Sequence, residues 1–159
     1  MSGGNALTNA WIGPSVTPLT NLNSGYRMYE VDEGNFEIYD AYTFYADVNT
    51  FPNLTSTGPT FKIEYNTRDA YGRQANWPAD APLNATFWHQ VTEAMQTNHS
   101  IASQFNTYQG KMSVKSPNCT NNACAEAKVC YIRSGSVALA QSCPKGYGSV
   151  QSPFTGTGS

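Results

Sequence analysis

The amino-acid sequence predicts an α+β chain, a β-hairpin of edge strands followed by a small helical unit stapled by disulfides. Three observations predict it. Aromatic and β-branched residues alternate with polar ones between Tyr26 and Val48, the period of a strand. After Pro59 the apolar spacing changes to three and four residues, the period of a helix. All four cysteines fall between Cys119 and Cys143, an even count compressed into the last third of 159 residues.

The opening segment, Trp11-Ile-Gly-Pro-Ser-Val-Thr-Pro-Leu, carries short apolar pieces broken by prolines, as a strand end running into a loop does. Asn21 to Gly25 is a turn cluster. Tyr26 to Val31 reads as a strand, Asp32-Glu-Gly-Asn as a tight connection and Asn35 to Val48 as the returning strand. Tyr26, Met28, Phe36, Ile38 and Tyr42 lie on the faces of this hairpin, which needs a sheet to join because two strands alone are marginal in water. From about Pro59, Phe61, Tyr65, Arg68, Ala70 and Tyr71 follow helical spacing, and Gly72 ends that helix. Beyond the proline-rich link Trp77-Pro-Ala-Asp-Ala-Pro, a second helix starts near Asn84 or Thr86 and presents Trp88, Val91 and Met95 on one face. Ile101, Phe105 and Tyr108 mark a third helix, and Ala123 to Arg133 a short fourth within the cysteine cluster. The residues after Cys143 are mostly Gly, Ser, Thr and Pro, the composition of a disordered tail. The chain thus divides into terminal strands at 1–58, a helical unit at 59–143 and a tail at 144–159.

Only 13% of the residues are charged and the net charge is −2, with no basic stripe, so nucleic acid is not an expected partner. No apolar run approaches the ~20 residues that span a bilayer. The cysteines suggest two disulfides, for which three connectivities exist. Cys119–Cys124 with Cys130–Cys143 is the simplest pairing. Four reduced thiols or a zinc site are the alternatives, and the long second spacing without a nearby histidine argues against zinc. Asn53, Asn84, Asn98 and Asn118 each begin an N-x-[ST] sequon, which together with the cysteines points to a secretory lumen. The first residues carry no basic n-region and no apolar h-region, so the expectation is that the beginning of a longer chain is missing.

The residues alone do not assemble an active site. The two histidines, His89 and His99, belong to no D-x-H, H-x-H or H-E-x-x-H motif. Asn98-His99 imitates a metallophosphatase ligand pair but sits in a sequon without the preceding glycine, and His89 reads as a partly buried helix residue. There is no G-x-S-x-G elbow and no glycine-rich phosphate loop. Asp32 with Glu33, and Asp40 with Asp47, read as solvated hairpin charges rather than an acid–base pair. Tyr39, Tyr42, Phe44 and Tyr45 read as packing for a sheet, ahead of a sugar or lipid surface.

Several motifs in register carry a resemblance. Ile12-Gly-Pro-Ser-Val-Thr-Pro-Leu-Thr-Asn-Leu-Asn-Ser-Gly-Tyr-Arg-Met-Tyr-Glu-Val-Asp is similar to a G/A-P-S segment followed by an N-P-G-Y/F-R-V-Y-x-[VI]-D strand. Gly58-Pro-Thr-Phe with Asp69-Ala-Tyr-Gly resembles a W…[KR]-E-[AT]-Y-G helix, and Phe87-Trp-His-Gln-Val resembles an x-W-H-N helix. These stretches, from about Leu7 to Cys143, resemble the end of acid sphingomyelinase-like metallophosphoesterases, in a secreted fungal-type form. Ser24 stands where that pattern often has proline.

The resemblance implies strands from the end of a calcineurin-like sheet, then the helical C-terminal subdomain of a sphingomyelin phosphodiesterase. It implies cysteines paired first with second and third with fourth. It implies a parent enzyme that is secreted, lysosomal or vacuolar and hydrolyses sphingomyelin or a related phosphodiester with two zinc ions. The family's metal-ligand motifs precede the stretch matched at Ile12, so no catalytic or metal residue is carried over and no cofactor is expected on this chain. The loop Pro14–Asn21 runs near the catalytic rim in the family, which makes Thr17 and Leu19 candidate rim residues. The expected partners are the catalytic part of the parent enzyme and, in the intact enzyme, a lipid or phosphodiester substrate. The reading that follows is a piece of a phosphodiesterase, inactive alone. Its rivals are a secreted lipid- or protein-interaction module using Trp88 and Phe105, and a self-sufficient hydrolase with an unrecognised site.

Overall fold

A computed structural model describes residues 6–18 and 22–150. Strand β1 (Ser24–Val31) pairs antiparallel with β2 (Ile38–Ala46), and β2 pairs antiparallel with β3 (Lys62–Asn66), giving a three-stranded sheet in chain order. The register sets Tyr26 opposite Phe44, Arg27 opposite Thr43 and Met28 opposite Tyr42. Asp32 closes the hairpin: its Oδ1 accepts the N–H of Gly34 and of Asn35, and Phe36 takes the left-handed region at φ 59°. A short 3-10 helix, Val48–Asn53, follows β2 and is capped by Asp47.

Strand β3 corrects the helix expected from Pro59. Positions 61 and 65 satisfy a helical spacing and a strand alternation equally, and Ile63 between them faces outward opposite Phe44. The open edge of β2 settles the choice in favour of pairing. The helix starts only after Asn66, whose Oδ1 accepts the N–H of Asp69, so α1 is short at Thr67–Tyr71.

Helices α2 (Ala85–Thr97), α3 (His99–Gln109) and α4 (Asn122–Arg133) form the bundle, with a short α5 at Val137–Gln141. The core gathers Tyr71, Leu83, Phe87, Val91, Met95, Ile101, Ala102, Ala125 and Val129. Val91 and Met95 face inward as their spacing predicts. The third member of that inward row is Phe87, while Trp88 lies half-buried at its flank. Sheet and bundle meet where Tyr65 stacks on Tyr108 at 4.0 Å, while α1 is tied to the sheet by Thr67, which donates to the carbonyl of Ala41.

The cysteines pair as Cys119–Cys124 and Cys130–Cys143. Where composition suggests a disordered tail from residue 144, Tyr147 is instead buried beside Cys119, Cys124 and Ala127. Tyr131 donates to the carbonyl of Pro144, and Val150 is buried as well. Residues 151–159 lie outside the described part.

Candidate functional site

The candidate rim is the segment running beside the start of β1. Gly25 donates its N–H to the carbonyl of Ser15 at 3.0 Å, and the Ser24 hydroxyl donates to the carbonyl of Val16. Thr17 is exposed, its carbonyl accepting from the hydroxyl of Ser15; Leu19 lies outside the described residues. Arg27 anchors the segment: Nη1 donates to the carbonyl of Ile12, Nε to Thr43 and Nη2 to the Tyr65 hydroxyl. Its guanidinium lies 5.8 Å from the ring of Trp11, which meets Trp88 edge-on at 5.4 Å. Arginine suits such a place because a planar fork serves several acceptors while stacking on rings.

Of the four hairpin carboxylates Asp32, Glu33, Asp40 and Asp47, three hold backbone. Asp32 builds its turn, Asp47 caps the 3-10 helix, and buried Asp40 accepts the N–H of Ala41 and of Arg68. His89 is half-buried with Nε2 4.0 Å from Glu93, and its Nδ1 is buried without a partner. Exposed His99 stands in the first turn of α3 behind the Asn98 cap, at the edge of a cavity of about 300 Å³ lined also by Met95, Val129, Arg133 and Leu139. Among the described residues no three His, Cys, Asp or Glu side chains are grouped to hold a metal ion. The four sequon asparagines are all exposed.

The aromatic run divides between the two faces of the sheet. Phe44 stacks on Tyr26 at 5.0 Å with Phe61 beside Tyr26 at 5.1 Å, and together with Met28, Tyr42 and Ile63 they form an outer face. Met28 is 57% and Ile63 55% exposed, so this face is only partly covered. Trp88 and Phe105 are half-buried: each packs one side against the helical core and leaves the rest partly exposed.

Sequence reasoning missed two buried lysines and a half-buried glutamate whose carboxyl oxygens are shut from water. Lys128 is buried and donates to Oε1 of Gln109 at 2.9 Å, and burial pushes its pKa down to about 8. Lys111 is buried in a left-handed turn, near enough to Glu64 of β3 for their charges to interact. No local motif announces any of them, because each is defined by what folds over it.

No protein-family model matches the chain. Similarity to curated proteins is found across most of its length. Sphingomyelin phosphodiesterase 2 of Caenorhabditis elegans is 27% identical over 129 residues, 79% of this chain and 20% of the relative. Sphingomyelin phosphodiesterase 1 of the same organism is 29% identical over 135 residues, 84% of the chain and 22% of the relative. Sphingomyelin phosphodiesterase A of Dictyostelium discoideum is 28% identical over 125 residues, 77% and 19% respectively. The relatives are sphingomyelin phosphodiesterases. The chain therefore spans about a fifth of the length of the curated relatives it matches. No helix among the described residues is long and apolar enough to cross a membrane.

Proposed function

We propose that this chain is the C-terminal portion of a secreted, lysosomal or vacuolar phosphodiesterase of the sphingomyelin phosphodiesterase kind, and that it catalyses nothing alone. The observation that carries the reading is the match itself: most of this chain is similar to about one fifth of each relative. The parent reaction is the metal-dependent hydrolysis of sphingomyelin, or of a related phosphodiester, to ceramide and phosphocholine. The residues present do not fit a two-zinc centre, since only two histidines exist and no ligand cluster forms among the described residues. No step of the hydrolysis is assigned to them. The part this chain plays is to complete the enzyme, with the outer sheet face of Tyr26, Phe44 and Ile63 and the rim segment at Thr17 turned toward the catalytic part. Exposure of all four sequons supports glycosylation in the secretory pathway.

Two measurements test this. An antibody against the Cys119–Cys143 region is expected to find a native protein several times larger than 17.3 kDa, with tryptic peptides from upstream of Met1. The purified chain with zinc and sphingomyelin is expected to release no phosphocholine above buffer. A native species of about 17 kDa beginning at Met1 would sink the reading and favour the interaction module instead, with the outer sheet face as its contact surface. Turnover by the isolated chain would return the self-sufficient hydrolase.

A further inference from the structure

Glu64 is the least ordinary residue of the sheet. The ladder shifts between Thr43 and Phe44: Tyr65 faces Thr43 and Ile63 faces Phe44, which leaves Glu64 as the extra residue of a bulge. A bulge re-aims a side chain. Glu64 is half-buried as a residue, but both of its carboxyl oxygens are buried with no hydrogen-bond partner. An ionised carboxylate held so would forgo all its hydration, whereas the neutral acid is far less costly to bury.

The charged and titratable groups around it come from every neighbouring element. Arg27 reaches it from β1 and Lys111 from the turn after α3, both acting to keep it ionised, while Tyr65 on β3 and Tyr71 on α1 face it uncharged, with Tyr108 of α3 stacked on Tyr65. Arg27 is committed to Thr43, Ile12 and Tyr65, and neither cation approaches Glu64 within ion-pair distance. Lys111 belongs to a strained place: Lys111 and Met112 sit consecutively at φ 53° and 54°. The Lys111 carbonyl accepts from Asn23 at 2.9 Å, tying that turn to the start of β1.

We propose that Glu64 is a proton latch, buried as the neutral acid to close the sheet onto the α3–α4 turn, and that its ionisation loosens this junction. Burial outweighs the pull of Lys111 and Arg27 and raises its pKa from 4.5 to about 8. The sign follows from linkage. The folded chain holds this proton more tightly than the unfolded one, so the contribution is complete below the unfolded value and is lost as pH rises through about 8.

The test compares the full chain with Glu64→Gln, an uncharged mimic of the acid, by thermal unfolding between pH 4 and pH 9. The two are expected to melt together near pH 4, and the wild type to fall below Glu64→Gln by roughly 5 °C or more at pH 9. Glu64→Leu guards against a poorly accommodated amide and is expected to show the same relative pH trend. A ¹³C-carboxyl titration of the native protein is expected to place the Glu64 midpoint near 8. A midpoint in the ordinary carboxylate range, or a wild type that outlasts Glu64→Gln at pH 9, would overturn the latch and make an ion pair with Lys111 the working contact.

Discussion

Arg68 joins the sheet to the loop that precedes α2 through four hydrogen bonds of one side chain. From α1 its Nε and Nη2 both donate to the carbonyl of Tyr39, Nη2 also reaches Ala81, and Nη1 reaches Pro78. Three carbonyls of two separate segments thus converge on one cation. Lysine carries the same charge at one point and cannot serve three directions at once. Arg68→Lys is therefore expected to lower stability by about 2 kcal/mol, in the range of a lost charge-assisted hydrogen bond, measured by urea unfolding at neutral pH. An unchanged midpoint would mean that the loop 78–81 is held by its own turns. Gly25 makes the complementary point by having no side chain. An added Cβ would lie 2.7 Å from Cδ of Lys111 and 2.9 Å from the Phe44 carbonyl oxygen, so the buried lysine stem occupies that space.

The helices begin where short polar side chains let them. Asn84 caps α2 by accepting from Thr86 and Phe87, Asn98 caps α3 by accepting from Ser100, and Asn121 caps α4 by accepting from Cys124. Two of these asparagines also open sequons, and the two roles separate by substitution. Without glycan, Asn84→Ala is expected to cost about 1 kcal/mol and Asn84→Ser almost nothing, read by thermal unfolding of bacterially produced protein. Equal losses from both would remove the cap from the account. The starts of α2 and α4 were legible because caps and periodicity are local. Strand β3 was not, because Phe61 and Tyr65 fit either period and only the free edge of β2 decides. The packing of Tyr147 was hidden too, since a glycine- and serine-rich context says nothing of the disulfide-lined pocket that receives its ring. The candidate site was least legible of all: Asp40, Arg27 and Glu64 take their meaning from partners that lie far away in sequence.

At the scale of the molecule, stability leans on the two disulfides. They close loops of 5 and 13 residues, contributing about 2 and about 3 kcal/mol through the entropy of the unfolded chain. Domains of this size hold only about 5–15 kcal/mol in total. The second bridge matters most to α5, which buries none of its residues and stays beside α4 through Cys143. Thiol reductant at neutral pH is expected to lower the melting temperature by roughly 10 °C or more and reduce the far-ultraviolet helical signal, followed by circular dichroism. An indifferent melting curve would show that the three-helix core of Phe87, Met95, Ile101 and Val129 suffices without them.

The edge-on contact of Trp11 with Trp88 has a consequence for how this chain can be watched. Residues 6–18 make no helix or strand, so methods that count amide geometry pass over them. Two indoles with centres 5.4 Å apart and planes crossing at 74° lie within range for their electronic transitions to couple. The near-ultraviolet optical activity of the folded chain therefore carries the seating of the segment around Trp11 against α2. A change in that band alone, with the amide spectrum constant, is the mark of that segment lifting away while sheet and bundle stay in place.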